Sequence, residues 1–288
     1  MKLARYTYNG NTSIGIVVGD RIHDIPAALP QLPHSIKALL AGGPAMLDQI
    51  RVTLPGGRGG IPLAEVRLEA PIPDPDKFLA IGMNYHDHAD EARRAGIPIP
   101  STQLWFNKQV SCINGPYDPV VQPRVSERLD YEAELGVVIG KRCRYVSEAD
   151  ARSVVAGYFV CNDVTARDWQ QASPTFTLGK SFDTHGPIGP WIVTDDEIED
   201  PHALEMRLSV NGEPRQKAIT GGMIYNIWQQ IHHLSQVMTL EPGDLIATGT
   251  CANVGIALGK FLRPGDVVRV EIDRLGHIEN PIVADIPA

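Results

Sequence analysis

In the segment RLDYEAELGVVIGK three acids stand at alternate positions, Asp130, Glu132 and Glu134. On an extended chain successive side chains point to opposite faces, so these acids share one face while Tyr131, Ala133, Leu135 and Val137 share the other. Like charges so placed repel one another and require compensation. Two readings supply it. The acids can line the water-facing side of an antiparallel sheet. They can instead hold a hard cation, because Mg2+, Mn2+ and Ca2+ take oxygen ligands and a pair of carboxylates binds them well. Such a site needs a third oxygen, and Asp163 in VCNDVTARD offers one. Apolar residues precede Asp163, so its carboxylate ends a buried strand and must be met by a cation or by Arg167.

A second constellation lies in NYHDHADE, where three positions separate His88 from Glu91. On a helix that spacing puts both side chains on one face. A glutamate behind an imidazole sets its tautomer and raises its basicity, as a general base acting on water requires. An ordinary surface His–Glu pair has the same spacing, and His86 and Asp87 offer alternatives in the same loop. Lys180 in FTLGKSFDTHGPIGP and Lys108 in LWFNKQ could each bind a carboxylate or stabilise an enolate, or be plain surface lysines. ATGTCANVG sets Thr250 among glycine-exposed amides, which suits an anion or a carbonyl oxygen. GxxxxGK[ST], a strand-borne GxGxxG and GxSxG are all absent, which disfavours a P-loop, a nicotinamide site and a serine hydrolase.

The elements that must carry these groups read as short strands and turns. Glycine (27) and proline (23) in 288 residues exceed their joint average usage of about 12%. Asn9-Gly10 reads as a hairpin turn between two N-terminal strands, and SIKALLAGGPAMLDQIRVTL as a helix interrupted at Gly42, Gly43 and Pro44. The Gly/Pro-rich stretch from Pro55 to Pro75 places a boundary near residue 72, giving a small N-terminal α/β domain (1–72) and a main domain (73–288). In the main domain KFLAIG is a short strand, and NYHDHADEARRAG a helix closed by Gly96. SEADARSVVAG is a short helix with Ser147 and Asp150 resembling a capping box. GGMIYNIWQQIHHLSQVM is an amphipathic helix with Ile224, Ile227, Trp228, Ile231 and Leu234 toward the core. LEPGDLIA and LRPGDVVRVEI each lead from a Pro-Gly-Asp turn into a strand. The fold class is α+β and β-rich.

The composition bounds the partners. A formal charge of −8 argues against nucleic acid, and no run of about 18 apolar residues argues for a membrane span. The expectation is a soluble cytoplasmic protein whose four cysteines, Cys112, Cys143, Cys161 and Cys251, are buried free thiols.

Taken in order, IGMNYHDHADE, LDYEAELGVVIGK, NDVTARDWQ, GKSFDTHGPIGP, VNGE, LEPGDLIATGT and LGHIEN resemble the fumarylacetoacetate hydrolase superfamily from about Lys77 to the carboxyl terminus. The resemblance implies a mixed β-sandwich roll, a homodimer and a small variable domain ahead of the catalytic one. It implies Glu132, Glu134 and Asp163 as ligands of Mg2+ or Mn2+, with Ca2+ a further fit. His88 and Glu91 become the dyad that activates water, and Lys180 stands beside substrate and metal. Arg167, Gln170 and Thr250 match positions that hold the oxoacid end of a substrate, with Lys108 a further substrate-binding candidate.

The implied activity is metal-dependent hydrolysis of a carbon–carbon bond in an acylpyruvate or 2,4-dioxo acid, as in aromatic or sugar-acid catabolism. The same platform serves oxaloacetate-type decarboxylation, 2-hydroxydienoate isomerisation, or silent ligand binding. The chain reads TGTCANVG where members commonly read TGTPxGVG, with Cys251 for proline and Asn253 for glycine.

Overall fold

The computed structural model describes residues 1–54 and 59–285. The start of the Gly/Pro-rich stretch read as a linker, Pro55 to Arg58, lies outside the described residues.

The organising element is a twelve-stranded mixed sheet. Its middle runs Lys2–Tyr8, Gly186–Thr194, Val155–Asn162, Ala133–Ile139, Leu245–Ala247, Phe78–Gly82 and Leu104–Lys108, all antiparallel except the Leu245–Ala247 and Phe78–Gly82 pair. Because Lys2 and Leu3 pair with Val193 and Ile192, the N-terminal strands extend this sheet. A five-stranded sheet, ordered Glu213–Ile219, Glu205–Val210, Val267–Ile272, Gly276–Ala284 and Val120–Gln122, packs over the large one.

Turn chemistry sets the hairpins. Asn9-Gly10 and Asn211-Gly212 have φ of 48° and 78°, and of 52° and 78°, the double left-handed geometry that suits the twist of paired strands. In both Pro-Gly-Asp turns the glycine has positive φ, and the aspartate (Asp244, Asp266) accepts the amide three residues back, on Glu241 and Arg263. All four cysteines are buried and free.

The Ala133–Ile139 strand is buried along its whole length. Ala133, Leu135, Val137 and Ile139 pack toward the five-stranded sheet and the helix Ile227–Val237, while Val138 joins the other core beneath the N-terminal helices Ile36–Ala41 and Pro44–Thr53. The alternation therefore records two different buried faces, and the solvated-face reading falls. The strand is also broken. Leu129–Asp130 pairs separately with Thr165–Ala166, and Tyr131 and Glu132 lie in the gap. Asp130 falls outside the carboxylate cluster that Glu132 and Glu134 form with Asp163.

Two local expectations shift. Ala151–Val154 forms a single 3₁₀ turn, although Ser147 and Asp150 do bond at 2.6 Å. The amphipathic helix begins at Ile227, capped reciprocally by Asn226 and Gln229, so Ile224 precedes it. No helix among the described residues is long and apolar enough to cross a membrane.

One fully buried residue ties the site-bearing strands together. Asn84 donates to the carbonyls of Thr248 (2.8 Å) and Tyr225 (3.0 Å) and accepts the Tyr225 amide (2.9 Å). Asn84→Ala would leave the Thr248 carbonyl and the Tyr225 amide without these partners, while the Tyr225 carbonyl keeps Gln230, and is expected to destabilise the fold by about 2 kcal/mol, read from the denaturant midpoint. An unchanged midpoint would show that the clamp is dispensable.

Candidate active site

The gap between the two strand pieces builds the centre of the site. Asn162 accepts the Glu132 amide at 3.0 Å, and the Asp163 amide donates to the Glu132 carbonyl at 2.9 Å, so chain reversal places Asp163 beside Glu132. Glu134 follows on the same strand and accepts the Gly249 amide at 2.7 Å. One carboxylate oxygen from each of Glu132, Glu134 and Asp163 lies within 4.8 Å of the others, and all three residues are buried.

Cations surround this cluster. The Lys180 ammonium donates to Glu132 Oε2 and to Asp163 Oδ2, each at 2.7 Å. Lys108 donates to Asp163 Oδ1 at 2.6 Å and to the Lys180 carbonyl. Arg167 pairs with Asp130 at 2.7 Å through Nε and with Glu132 at 2.7 Å, and donates to Gln170 Oε1 at 3.0 Å. Asp130 in turn accepts the amides of Gly255 (2.6 Å) and Ile256 (2.9 Å).

Burial acts on the carboxyls first, and their neighbours decide the outcome. Burial would raise Glu132, but Lys180 and Arg167 bring it down to about 2. Glu134 is pushed well above its usual range by burial and then by the Asp163 and Glu132 charges, with no cation paired to it. Three buried cations (Lys108, Lys180, Arg167) thus face four buried acids (Asp130, Glu132, Glu134, Asp163). An oxygen-only donor set with one uncompensated carboxylate fits a hard divalent cation such as Mg2+ or Mn2+.

The dyad residues stand on the helix His86–Arg94, which follows the Phe78–Gly82 strand. His88 Nδ1 lies 3.0 Å from Glu91 Oε2, and Glu91 Oε1 accepts the Asn253 amide at 3.0 Å. Burial opposes ionisation of Glu91, but the His88 and Asn253 contacts hold it below its ordinary value. An ionised Glu91 requires Nδ1 to be the donor, which leaves the Nε2 lone pair for a reactant. Asn253 has φ of 70°, a left-handed conformation that asparagine tolerates in place of glycine. At Asn253 the TGTCANVG departure therefore places a residue that tolerates the left-handed backbone presenting this amide.

One cavity of about 390 Å³ collects His88, Glu91, Glu132, Arg167, Gln170, Lys180 and Thr250 on its wall. Glu134 and Asp163 complete the carboxylate cluster behind Glu132. Lys108 departs from its expected place at the substrate. Its ammonium is fully buried, it does not line this cavity, and its partners are Asp163 and the Lys180 carbonyl.

A residue without a sequence signal also shapes the site. Gln216, buried on the five-stranded sheet, accepts the Ala133 amide and donates to Thr250 Oγ1 and the Cys251 carbonyl, all at 2.9 Å. A lone glutamine in the strand EPRQKAI carries no mark of this role, because its partners lie at least 34 residues away.

Two family models cover the chain. "Fumarylacetoacetate (FAA) hydrolase C-terminal" matches residues 77–283, and "Rv2993c-like, N-terminal" matches residues 1–71. A mitochondrial oxaloacetate tautomerase of Bos taurus is 42% identical over 269 residues, covering 92% of this chain and 85% of the relative. The solved structure of maleylpyruvate hydrolase from Sphingobium sp. SYK-6 with manganese(II) and pyruvate superposes with a TM-score of 0.84 at 37% identity, covering 99% of this chain and 100% of that one. A fumarylacetoacetate hydrolase from Exiguobacterium antarcticum gives a TM-score of 0.86 at 35% identity, with the same coverage.

Two outcomes follow from the charge network. Lys108→Met leaves Asp163 short of a buried partner and is expected to cost about 3 kcal/mol in the denaturant midpoint. Were Lys108 a substrate contact instead, stability would hold and only KM would rise. For Glu134 the folded value lies above the ordinary 4.5, so the stability it contributes is present below that pH and lost as pH rises. Chelator-treated Glu134→Gln should therefore melt about 2 °C or more above the parent near pH 8, with the gap closing toward pH 4.5. A gap independent of pH would remove this account.

Proposed function

The chain belongs to the fumarylacetoacetate hydrolase family, and on that premise we propose that it is a divalent-cation-dependent hydrolase cleaving a carbon–carbon bond in an acylpyruvate or related 2,4-dioxo acid. One observation carries the reading. A buried oxygen-only carboxylate cluster and a glutamate-backed histidine with Nε2 left free meet at a single cavity. The likeness to a maleylpyruvate hydrolase solved with manganese(II) and pyruvate supports it.

Glu132, Glu134 and Asp163 would hold the cation, which when bound supplies Lewis acidity toward the substrate's 2-oxo and carboxylate oxygens. The remaining work falls to the chain's own groups. Thr250 Oγ1 already accepts from Gln216, so its hydroxyl proton is free to donate to the oxoacid end. Gln170 has its carbonyl committed to Arg167, so its amide N–H groups are the ones left for substrate. Arg167 acts through this chain and through Asp130 rather than as a free cation.

His88 Nε2 takes a proton from water, and Glu91 stabilises the imidazolium through Nδ1. The hydroxide oxygen bonds to the C4 carbonyl carbon, the C3–C4 bond breaks, and its electron pair passes to C3 as the enolate of pyruvate. The Lys180 ammonium, on the cavity wall, stabilises that developing charge. Proton return from His88 to C3 yields pyruvate and a carboxylic acid.

A second reading has its own support, since relatives at 42% identity are named oxaloacetate tautomerases. The same Nε2 could take a proton from C3 instead of from water, moving it between carbon and oxygen with no bond cleavage.

His88→Ala is expected to lower pyruvate release by about 10²-fold or more with Mn2+ affinity retained. Asp163→Asn should lose Mn2+ binding and activity together. Calorimetry and coupled pyruvate detection read these outcomes, and unchanged Mn2+ affinity in Asp163→Asn would remove the ligand assignment. Loss of the enol absorbance of oxaloacetate without pyruvate, alongside inert acylpyruvates, would select the tautomerase.

A further inference from the structure

Apart from its charged and polar groups, the cavity wall is apolar. Met83, Ile97, Leu104, Phe106, Phe176 and Ile256 line it. Only two cationic side chains reach the cavity among the described residues, Arg167 and Lys180, and both are already committed. Arg167 is shared among Asp130, Glu132 and Gln170, and Lys180 between Glu132 and Asp163. No lysine or arginine stands on the apolar portion.

This wall is held in place. Phe176 has φ of 62°, in the left-handed region that an aromatic residue rarely adopts. Its ring meets Phe106 edge-on at 5.9 Å between centroids, and Phe106 lies under the Lys180 ammonium at 5.2 Å. A backbone held so far from its preference persists only where the surroundings determine it. The strained residue here carries an apolar ring to the cavity wall, packed on the Phe106 ring that borders Lys180.

We propose that this portion is a subsite for an uncharged hydrocarbon tail. Resting on the oxoacid reading above, the substrate is then a 2,4-dioxo acid with an alkyl or aryl acyl group, not one with a second carboxylate or a polyhydroxyl chain. A second carboxylate placed there would shed its water and meet neither a cation nor a row of donors. A hydrocarbon tail loses nothing and removes apolar surface from water on both sides. Selection between substrates then rests on what the wall lacks as much as on what it offers.

The test uses the Mn2+-loaded enzyme and unreactive ligands. Calorimetric titration compares pyruvate, 2-oxobutanoate, 2-oxohexanoate and 2-oxooctanoate with 2-oxoadipate. Each methylene seated in the subsite is expected to tighten binding about fourfold. The dicarboxylate should bind at least about tenfold more weakly than the six-carbon monocarboxylate. Ile97, half exposed at 50%, accepts a new side chain without disturbing the core. In Ile97→Arg the order should move toward the dicarboxylate by about tenfold.

Flat affinity along the series, absence of binding, equal or tighter binding of 2-oxoadipate, or unaltered selectivity in folded Ile97→Arg would each overturn the subsite. A parallel assay of pyruvate release from hexanoylpyruvate, benzoylpyruvate and fumarylpyruvate separates the two readings. Binding that tightens with tail length while no substrate releases pyruvate supports the subsite and sinks the hydrolase. Pyruvate release fastest from fumarylpyruvate overturns the subsite and leaves the hydrolase standing.

Discussion

Four carboxylates and three cations share one water-excluded volume, and much of the site's architecture follows from keeping them there. Asp130 and Asp163 are fully buried, and Glu132 and Glu134 nearly so. Ions taken out of water are tolerated only when geometry and hydrogen bonds compensate each charge. Here Asp130 has Arg167 and two backbone amides, Asp163 has two lysines, and Glu132 has Lys180 and Arg167. Glu134 alone is met by a single amide. The four-to-three imbalance makes the protein a poor container for its own charge and a good one for an additional cation. Removing any one partner leaves another charge stranded, so stability and chemistry are not separable at these positions.

That constraint explains why the main strand is interrupted. A continuous Leu129–Ile139 strand would direct Asp130, Glu132 and Glu134 to one face, where three like charges would stand in a row. The gap at Tyr131 and Glu132 sends Asp130 to Arg167 and the Gly255–Leu258 turn, and leaves Glu132 and Glu134 to meet Asp163. Asp163 reaches them because the antiparallel Val155–Asn162 strand ends opposite Ala133.

Much of this was legible in the chain before folding. The His88–Glu91 spacing has one geometric consequence on a helix, and Asn9-Gly10 and the Pro-Gly-Asp turns carry their backbone angles in their residue types. Glu132, Glu134 and Asp163 stood out because acids amid apolar residues demand a partner. What was illegible depends on the packing of distant segments. Alternation in RLDYEAELGVVIGK looks the same whether the second face meets water or a second core. Lys108 reads as a lysine between aromatics, and nothing local says that its ammonium turns inward to Asp163. Asn84 and Gln216 matter only through partners brought near by the sheet order, so their residue types alone say nothing. The composition that marks a boundary near residue 72 carries no sign that Lys2 and Leu3 pair with a strand of the main sheet.

The loop from Gly249 to Ile256 meets three of the site's acids and Gln216 through its main chain. Its amides at Gly249, Asn253, Gly255 and Ile256 reach Glu134, Glu91 and Asp130, and its carbonyls at Cys251 and Ala252 receive Gln216. Evolutionary drift is thereby channelled. A side chain such as that of half-buried Ala252 can change without touching these contacts, whereas proline is barred at four positions because it has no N–H to give. At Gly249 even a methyl group is barred, since φ is 98° and a Cβ would fall 2.7 Å from that of Asn84. The loop thus serves the site through its backbone, and its side chains matter there chiefly where they set φ or fill the space beside Asn84.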